Sequence, residues 1–411
     1  MTAPATKTAV ESGAARQMAF TIAHDGSYAA RLARHDTDAW FPERWTLDGP
    51  EPYAVRLPGN QPEEPDSDVL PLADGRVLIR RFTEGRHTFS LLYPTGPGTG
   101  ELPLGTLECE QLTLLPPAPG GACAYALQPG EHTTTVWLVA GGAHGPEYVT
   151  DVPGRCTGGV WLDRAGRMLA LDREIDGVTK AVAVDLERGG EVTPLLQITE
   201  ASDDRLLLAD PDSGLLLVRS DAPGCERLGW GVLGSRRPVR FPECLHLEDA
   251  LLSPFAVQPG QVLMPESCGV ALRIDSGAAS WLGVWRPAGR RLLQLAGPAG
   301  WLSGAGLWSR DGVLRLPYAT GTVPCGVVDI EPFAGAPVDT PFYPAHDHAA
   351  DGPTHPITEP AQTDFAGQEP FGPPETPVVC RPVPLQQAPL RSGPTAGRNF
   401  GPAHISSDHT G

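Results

Sequence analysis

One short pattern recurs seven times along the chain: an apolar run, a tight turn ending in glycine, and a second apolar run. The copies read MAFTIAHDGSYAARLA, VLPLADGRVLIRR, LTLLPPAPGGACAYAL, GVWLDRAGRMLAL, RLLLADPDSGLLLV, SPFAVQPGQVLMP and GLWSRDGVLRLPY. Their turn glycines, Gly26, Gly75, Gly121, Gly166, Gly214, Gly260 and Gly312, lie 49, 46, 45, 48, 46 and 52 residues apart. Glycine takes the positive φ of a two-residue hairpin without steric cost, so each copy predicts a hairpin. A strand-type period of about 40–50 residues is that of four-stranded propeller blades.

Two further strand-like runs separate each hairpin from the next, such as AWFPERWTLD with PYAVRLP and KAVAVDLE with EVTPLLQI. Naming the strands of a blade a to d from the axis outward, prolines recur in or beside the fourth run, at Pro58, Pro103, Pro194 and Pro242. An outermost strand has an unpaired edge, where a missing N–H costs no ladder bond. The sixth repeat carries an extra run, with GVALRID, WLGVWRPAG and RLLQLAG all following its hairpin, and counting that run near Trp281 would give an eighth blade. The predicted fold is therefore all-β, a seven-bladed β-propeller, with an eight-bladed ring as the alternative. The propeller is expected over 17–390, between flexible ends at 1–16 and 391–411. The proline-rich, acidic stretch 332–376 reads as an irregular insertion before a last strand d, VVCRPVPLQQAPL.

Composition excludes more than it selects. The net charge of −18 opposes nucleic acid and anionic membrane surfaces as partners. The first twenty residues contain no apolar segment of signal-peptide type, so the chain is expected in the cytoplasm. The eight cysteines are scattered without a C-x-x-C pair and read as reduced, small apolar side chains. Of the basic residues, only Lys7 and Lys180 are lysines.

Trp161-Leu162-Asp163-Arg164-Ala165-Gly166-Arg167-Met168-Leu169 and Trp308-Ser309-Arg310-Asp311-Gly312 resemble the W-S-P-D-G-K hairpin of TolB-type, WD-like bacterial propeller repeats. The same hairpin builds the propeller of prolyl oligopeptidases. The resemblance implies an unlatched seven-bladed ring. It does not carry peptidase activity over, because no G-x-S-x-G occurs and the residues after Leu390 are too few for a hydrolase domain.

Propeller connections alternate between two faces. The a–b turns are short and rich in Asp, Pro and Gly, whereas the b–c and d–a connections concentrate His, Arg and acids. A site is therefore expected on the b–c/d–a face, at the channel mouth. Arg155, Asp204, Arg205, His246, Glu266 and Trp301 are its candidate binding residues; none is assigned a catalytic role. His35, His87 and His132 read as equivalent, solvated b–c loop residues, because ligands on blades about 10 Å apart cannot meet one zinc ion. Neither metal nor cofactor is expected. The function read from these features is a monomeric, non-catalytic protein- or peptide-docking scaffold. The alternative is a small-molecule lyase or hydrolase with acid–base groups converging at the mouth.

Overall fold

The structure is a computed structural model, and it describes residues 20–34, 39–260, 263–277 and 279–333. Seven antiparallel sheets follow one another along the chain. Blade one is β1 (Phe20–Ile22), β2 (Tyr28–Arg34), β3 (Trp40–Thr46) and β4 (Tyr53–Arg56). Blade two is β5 (Asp68–Pro71), β6 (Val77–Thr83), β7 (Arg86–Pro94) and β8 (Thr99–Glu108). Blade three is β9 (Thr113–Leu114), β10 (Ala124–Pro129), β11 (Thr133–Ala140) and β12 (Glu147–Pro153), and blade four is β13 (Arg155–Trp161), β14 (Met168–Ile175), β15 (Val178–Asp185) and β16 (Glu191–Leu196). Blade five has three strands, β17 (Asp204–Ala209), β18 (Leu215–Ser220) and β19 (Arg227–Val232). Blade six is β20 (Leu251–Val257), β21 (Val270–Ser276), β22 (Ala279–Trp285) and β23 (Leu293–Leu295), and blade seven is β24 (Leu307–Trp308), β25 (Leu314–Tyr318) and β26 (Gly326–Ile330). The chain is a seven-bladed β-propeller, and the eight-bladed alternative is excluded.

The core explains why strand b reads as an unbroken apolar run. Val77–Ile79, Met168–Leu171 and Leu215–Val218 are buried throughout. A strand covered by a neighbouring sheet on each face has no polar side to alternate with. Each junction between neighbouring blades holds its own apolar cluster. Met168, Ala170, Leu206 and Leu216 join blades four and five, and Leu115, Leu127, Trp161 and Leu171 join three and four. Leu217, Trp230, Leu272 and Trp285 join blades five and six. The remaining four junctions follow the same rule.

Six of the seven turn glycines adopt positive φ, between 66° and 88°. The exception, Gly260, corrects the reading of blade six. Its second strand is β21, not QVLMP: Leu263 and Met264 belong to no strand, a 3-10 turn follows at Pro265–Ser267, and Gln261 and Val262 lie outside the described residues. Gly260 instead donates its N–H to Asp210 Oδ2 at 2.9 Å in the blade-five turn. Pro259 and Pro265 bracket the QVLMP run, whereas Val270, Ala271, Leu272 and Ile274 bury completely as the blade needs. Blade five departs from expectation too. PVRFPECL gives no full fourth strand, only a bridge between Trp230 and Arg240 and a 3-10 turn at Glu243–Leu245. Pro238 and Pro242 flank Arg240 and have no N–H with which to extend the ladder.

Blades one and seven close the ring by side-chain packing. Among the described residues no strand from either end joins the sheet of the other. Phe20, Ala29, Trp45 and Leu47 pack against Leu302, Ala305, Ala319 and Val327. Trp45 is fully buried, edge-on to Phe20 at 4.8 Å, with Arg31 over its face at 5.1 Å. Beyond β26, Phe333 stacks on Trp308 at 6.1 Å beneath the Arg286 guanidinium. The chain thus leaves blade seven on the a–b face. The expected insertion from residue 334 on, the strand VVCRPVPLQQAPL and both terminal segments lie outside the described residues. No helix among the described residues is long and apolar enough to cross a membrane.

Closure by packing makes Trp45→Ala a sensitive probe. The substitution is expected to cost about 3–5 kcal/mol, as for other fully buried tryptophans. Denaturant unfolding followed by tryptophan fluorescence and circular dichroism measures it. A loss below about 1 kcal/mol would show that something other than this junction holds the ring shut.

Candidate functional site

The b–c/d–a face holds a cleft of about 520 Å³ where blades two, three and four meet. Its floor is built by cross-strand pairing in blade two. Asp68 on β5 lies opposite Arg80 on β6, and Phe82 lies opposite His87 on β7. Arg80 is 3% exposed and fully committed. Its Nε donates to Asp68 Oδ2 at 2.8 Å, its Nη2 to the Asp66 carbonyl at 2.8 Å and its Nη1 to His87 Nδ1 at 3.0 Å. An arginine only donates, so Nδ1 is the acceptor and the His87 proton sits on Nε2. Nε2 is buried without a hydrogen bond of normal geometry, with the Cys109 backbone beside it. Burial first, and the Arg80 charge second, push the His87 pKa down. His87 is therefore a buried, neutral strand residue, not the solvated loop histidine that its sequence position suggested. His132 is exposed on a b–c turn, as expected, and His35 lies outside the described residues.

The cleft wall comes from blade four. Arg155 opens β13, is exposed, and donates from Nη2 to Gln111 Oε1 at 3.1 Å. Two residues on, β13 bulges between Thr157 and Val160 through Gly158 (φ 75°) and Gly159 (φ 130°). A Cβ at Gly158 would stand 3.0 Å from Asp172 Oδ2, and one at Gly159 2.4 Å from Leu115. Both the left-handed backbone and the close approach require glycine here. Cys156, inside the same segment, is buried with its thiol pushed up to about 11 by desolvation, so it is a packing residue and not a nucleophile.

Arg205, on blade five, lies outside the cleft lining and reaches it only through Thr157. It donates to Thr157 Oγ1 at 3.4 Å and to Thr179 Oγ1 at 3.1 Å. Beneath it, Asp172 accepts from the Leu206 N–H at 2.9 Å. Desolvation pushes the Asp172 carboxyl up to about 6, against the lowering effects of that bond and of Arg205.

Of the six sequence candidates, the structure brings Arg155 and Arg205 together through Thr157. Asp204 sits one residue from Arg205 but is wholly buried. It accepts from Lys180 Nζ at 2.8 Å, the Ile198 N–H at 2.9 Å, Ser202 Oγ at 2.9 Å and Ser220 Oγ at 2.6 Å. Lys180 also caps the Thr199 carbonyl at 2.6 Å, so this lysine rivets blade four to blade five. Trp301 is half-buried in the connection between blades six and seven. It bridges to Tyr318, donates Nε1 to the Ala305 carbonyl at 3.3 Å and packs its ring 5.8 Å from Phe255. His246 is exposed in the connection after blade five. Glu266 falls in the long a–b connection of blade six, near Arg237 at 4.0 Å, and so belongs to the opposite face. That misplacement follows from taking QVLMP as a strand. Asp66, Glu110 and Gln111 line the cleft and had no signal in the sequence beyond being polar residues before a strand a. No group of three His, Cys, Asp or Glu side chains is gathered as for a metal among the described residues.

With this geometry established, the chain is similar in fold to TolB and to the propeller-containing peptidases. TolB from Acinetobacter baumannii aligns at 11% identity over 75% of this chain and 79% of that one, with a TM-score of 0.40. Prolyl oligopeptidase B from Galerina marginata aligns at 11% identity over 73% of this chain, with a TM-score of 0.47. The acylaminoacyl peptidase of Pyrococcus horikoshii aligns at 11% identity over 74%, with a TM-score of 0.43. The alignments span 45% and 49% of these two peptidases. The likeness is one of fold alone. No family model matches the sequence, and the curated proteins yield no match.

Asp172 gives the fold a pH dependence of defined sign. Its folded carboxyl holds its proton up to about pH 6, whereas the unfolded one releases it near 3.8. The group therefore stabilises the fold fully below about pH 4, and that contribution is lost as pH rises through 6. Asp172→Asn keeps the acceptor for Leu206 and removes the titration. The variant is expected to gain about 1.4 kcal/mol on wild type between pH 5 and pH 8, measured by denaturant midpoints across pH. Parallel pH profiles for the two proteins would contradict this.

Proposed function

We propose that the chain is a non-catalytic docking propeller that binds a protein or peptide on its b–c/d–a face, centred on the cleft between blades two and four. The observation that carries this reading is the state of the charged groups there. Arg155 and Arg205, on neighbouring blades at the mouth, hydrogen-bond to neutral partners: a glutamine amide and two threonine hydroxyls. Such cations keep their binding capacity for a partner's acceptors. Loops held on a rigid scaffold suit recognition.

The lyase or hydrolase alternative finds no comparable support. Among the described residues, the histidine that approaches a carboxylate within 4 Å is His132, 3.8 Å from Glu131, with both side chains fully solvated on a hairpin turn. An acid–base pair set to work at neutral pH needs a shielded, oriented environment. Seven described cysteines are free thiols, which supports a reducing compartment, and we place the protein in the cytoplasm as a monomer.

The test is affinity purification with quantitative mass spectrometry, comparing wild type with two charge reversals. Arg155→Glu with Arg205→Glu is expected to deplete the specific partner about tenfold or more, since each lost charged contact costs roughly 1.5–3 kcal/mol. Arg310→Glu, exposed on the a–b turn face, is expected to leave recovery unchanged. Equal recovery in all three proteins, or loss through Arg310→Glu alone, would contradict this placement.

A further inference from the structure

The charges lining the cleft specify what kind of partner end fits it. The floor contributes no net charge, because Arg80 is paired with Asp68 at 2.6 Å and His87 is neutral. Three charged side chains remain: Arg155 on one wall, and Asp66 and Glu110 on the other sides. All three are exposed, and none of them forms an ion pair among the described residues. Among the described residues, Arg155 is oriented by its hydrogen bond to Gln111. Asp66 is anchored through its backbone, whose carbonyl takes the buried Arg80 Nη2–H, and its carboxylate has no hydrogen bond or ion pair among the described residues. A cleft that gathers one cation and two anions without pairing them is complementary to a ligand carrying one carboxylate and a neighbouring positive charge.

Resting on the docking reading above, we propose that this cleft receives the C-terminal tail of a basic protein or peptide. The tail's carboxylate seats on the Arg155 guanidinium, and a Lys or Arg among its last residues meets Asp66 and Glu110. A guanidinium offers paired, fork-like donors that match a carboxylate. A volume of about 520 Å³ is in the range of small-ligand pockets and leaves room for the last few residues of a chain. The surroundings select the same partner. The b–c turns of blades two to five each expose an acid, at Glu84, Glu131, Asp176 and Asp221. These turn acids, on a chain whose overall net charge is −18, disfavour acidic segments and steer basic ones toward the mouth. A terminal carboxylate brings the one negative group that Arg155 needs without making the partner acidic.

The experiment uses the full chain and N-terminally fluorescein-labelled hexapeptide pools read by anisotropy at low salt. One pool has a Lys or Arg in its last three positions and a free C-terminus. A second is identical but amidated, and a third is free but carries Glu in place of the basic residue. The first pool is expected to bind, with amidation or Glu replacement each weakening binding roughly ten- to hundredfold. Arg155→Gln is expected to erase the difference between free and amidated pools. Asp66→Asn with Glu110→Gln is expected to erase the preference for Lys or Arg while retaining the preference for a free C-terminus. Equal binding of free and amidated pools, or binding of none, overturns the inference. Competition by free Gly-Lys as effective as by unlabelled hexapeptide also overturns it, because the cleft would then serve a free zwitterion. If the charge reversals on Arg155 and Arg205 still deplete the purified partner while amidation has no effect, the docking face stands and only the C-terminal assignment fails.

Discussion

Sheet-on-sheet packing around a ring is the constraint on which everything else in this molecule depends. Every blade is covered on both faces by its neighbours, so strands b and c must be apolar on both faces, and each junction needs its own cluster. Polar chemistry is thereby expelled to the strand ends and turns. Where a charge does enter a junction it is fully compensated. Asp204, wholly buried, has one ammonium, one backbone amide and two hydroxyls around it. Removing one partner of such a buried pair typically costs about 3–5 kcal/mol. This makes the Lys180–Asp204 contact a fastener between blades, unavailable to a ligand.

The same rigidity gives the candidate site its character. Arg155 and Thr157 belong to an inner strand whose bulge is fixed by two glycines against Asp172 and Leu115. Arg80 ties Asp66, Asp68 and His87 into one floor. What faces solvent is therefore positioned by what is buried, although the exposed charges themselves stay unpaired. A docking face of this kind gains by presenting groups already in place, with little ordering left to occur on binding.

Much of the fold was legible in the sequence. The glycine hairpins predicted seven blades because turn chemistry and apolar runs are both local, and the prolines Pro103 and Pro194 do lie on outermost strands. Legibility failed where two local patterns competed. In blade six QVLMP and GVALRID both look like strands, and only the demand for burial on both faces selects the second. Glu266 was assigned to the wrong face as a consequence. The site was legible only in part. Arg155 and Arg205 stand out as charges at the start of inner strands. Asp204 has the same signature, and nothing in a one-dimensional pattern distinguishes a buried carboxylate beside a lone lysine from an exposed one. The cleft itself joins Asp66, Glu110 and Arg155 from three successive repeats, a juxtaposition made by the packing of neighbouring blades and invisible to local spacing.

The account's central claim, that this chain docks a partner on the b–c/d–a face at the junction of blades two to four, is most directly tested by hydrogen–deuterium exchange of the full chain with and without its purified partner. The account predicts slowed exchange confined to residues 110–113 and 155–160 and to the b–c turns of blades two to five, with the a–b turns unchanged. Protection centred on the a–b turns around Gly166, Gly214 and Gly312 would contradict it.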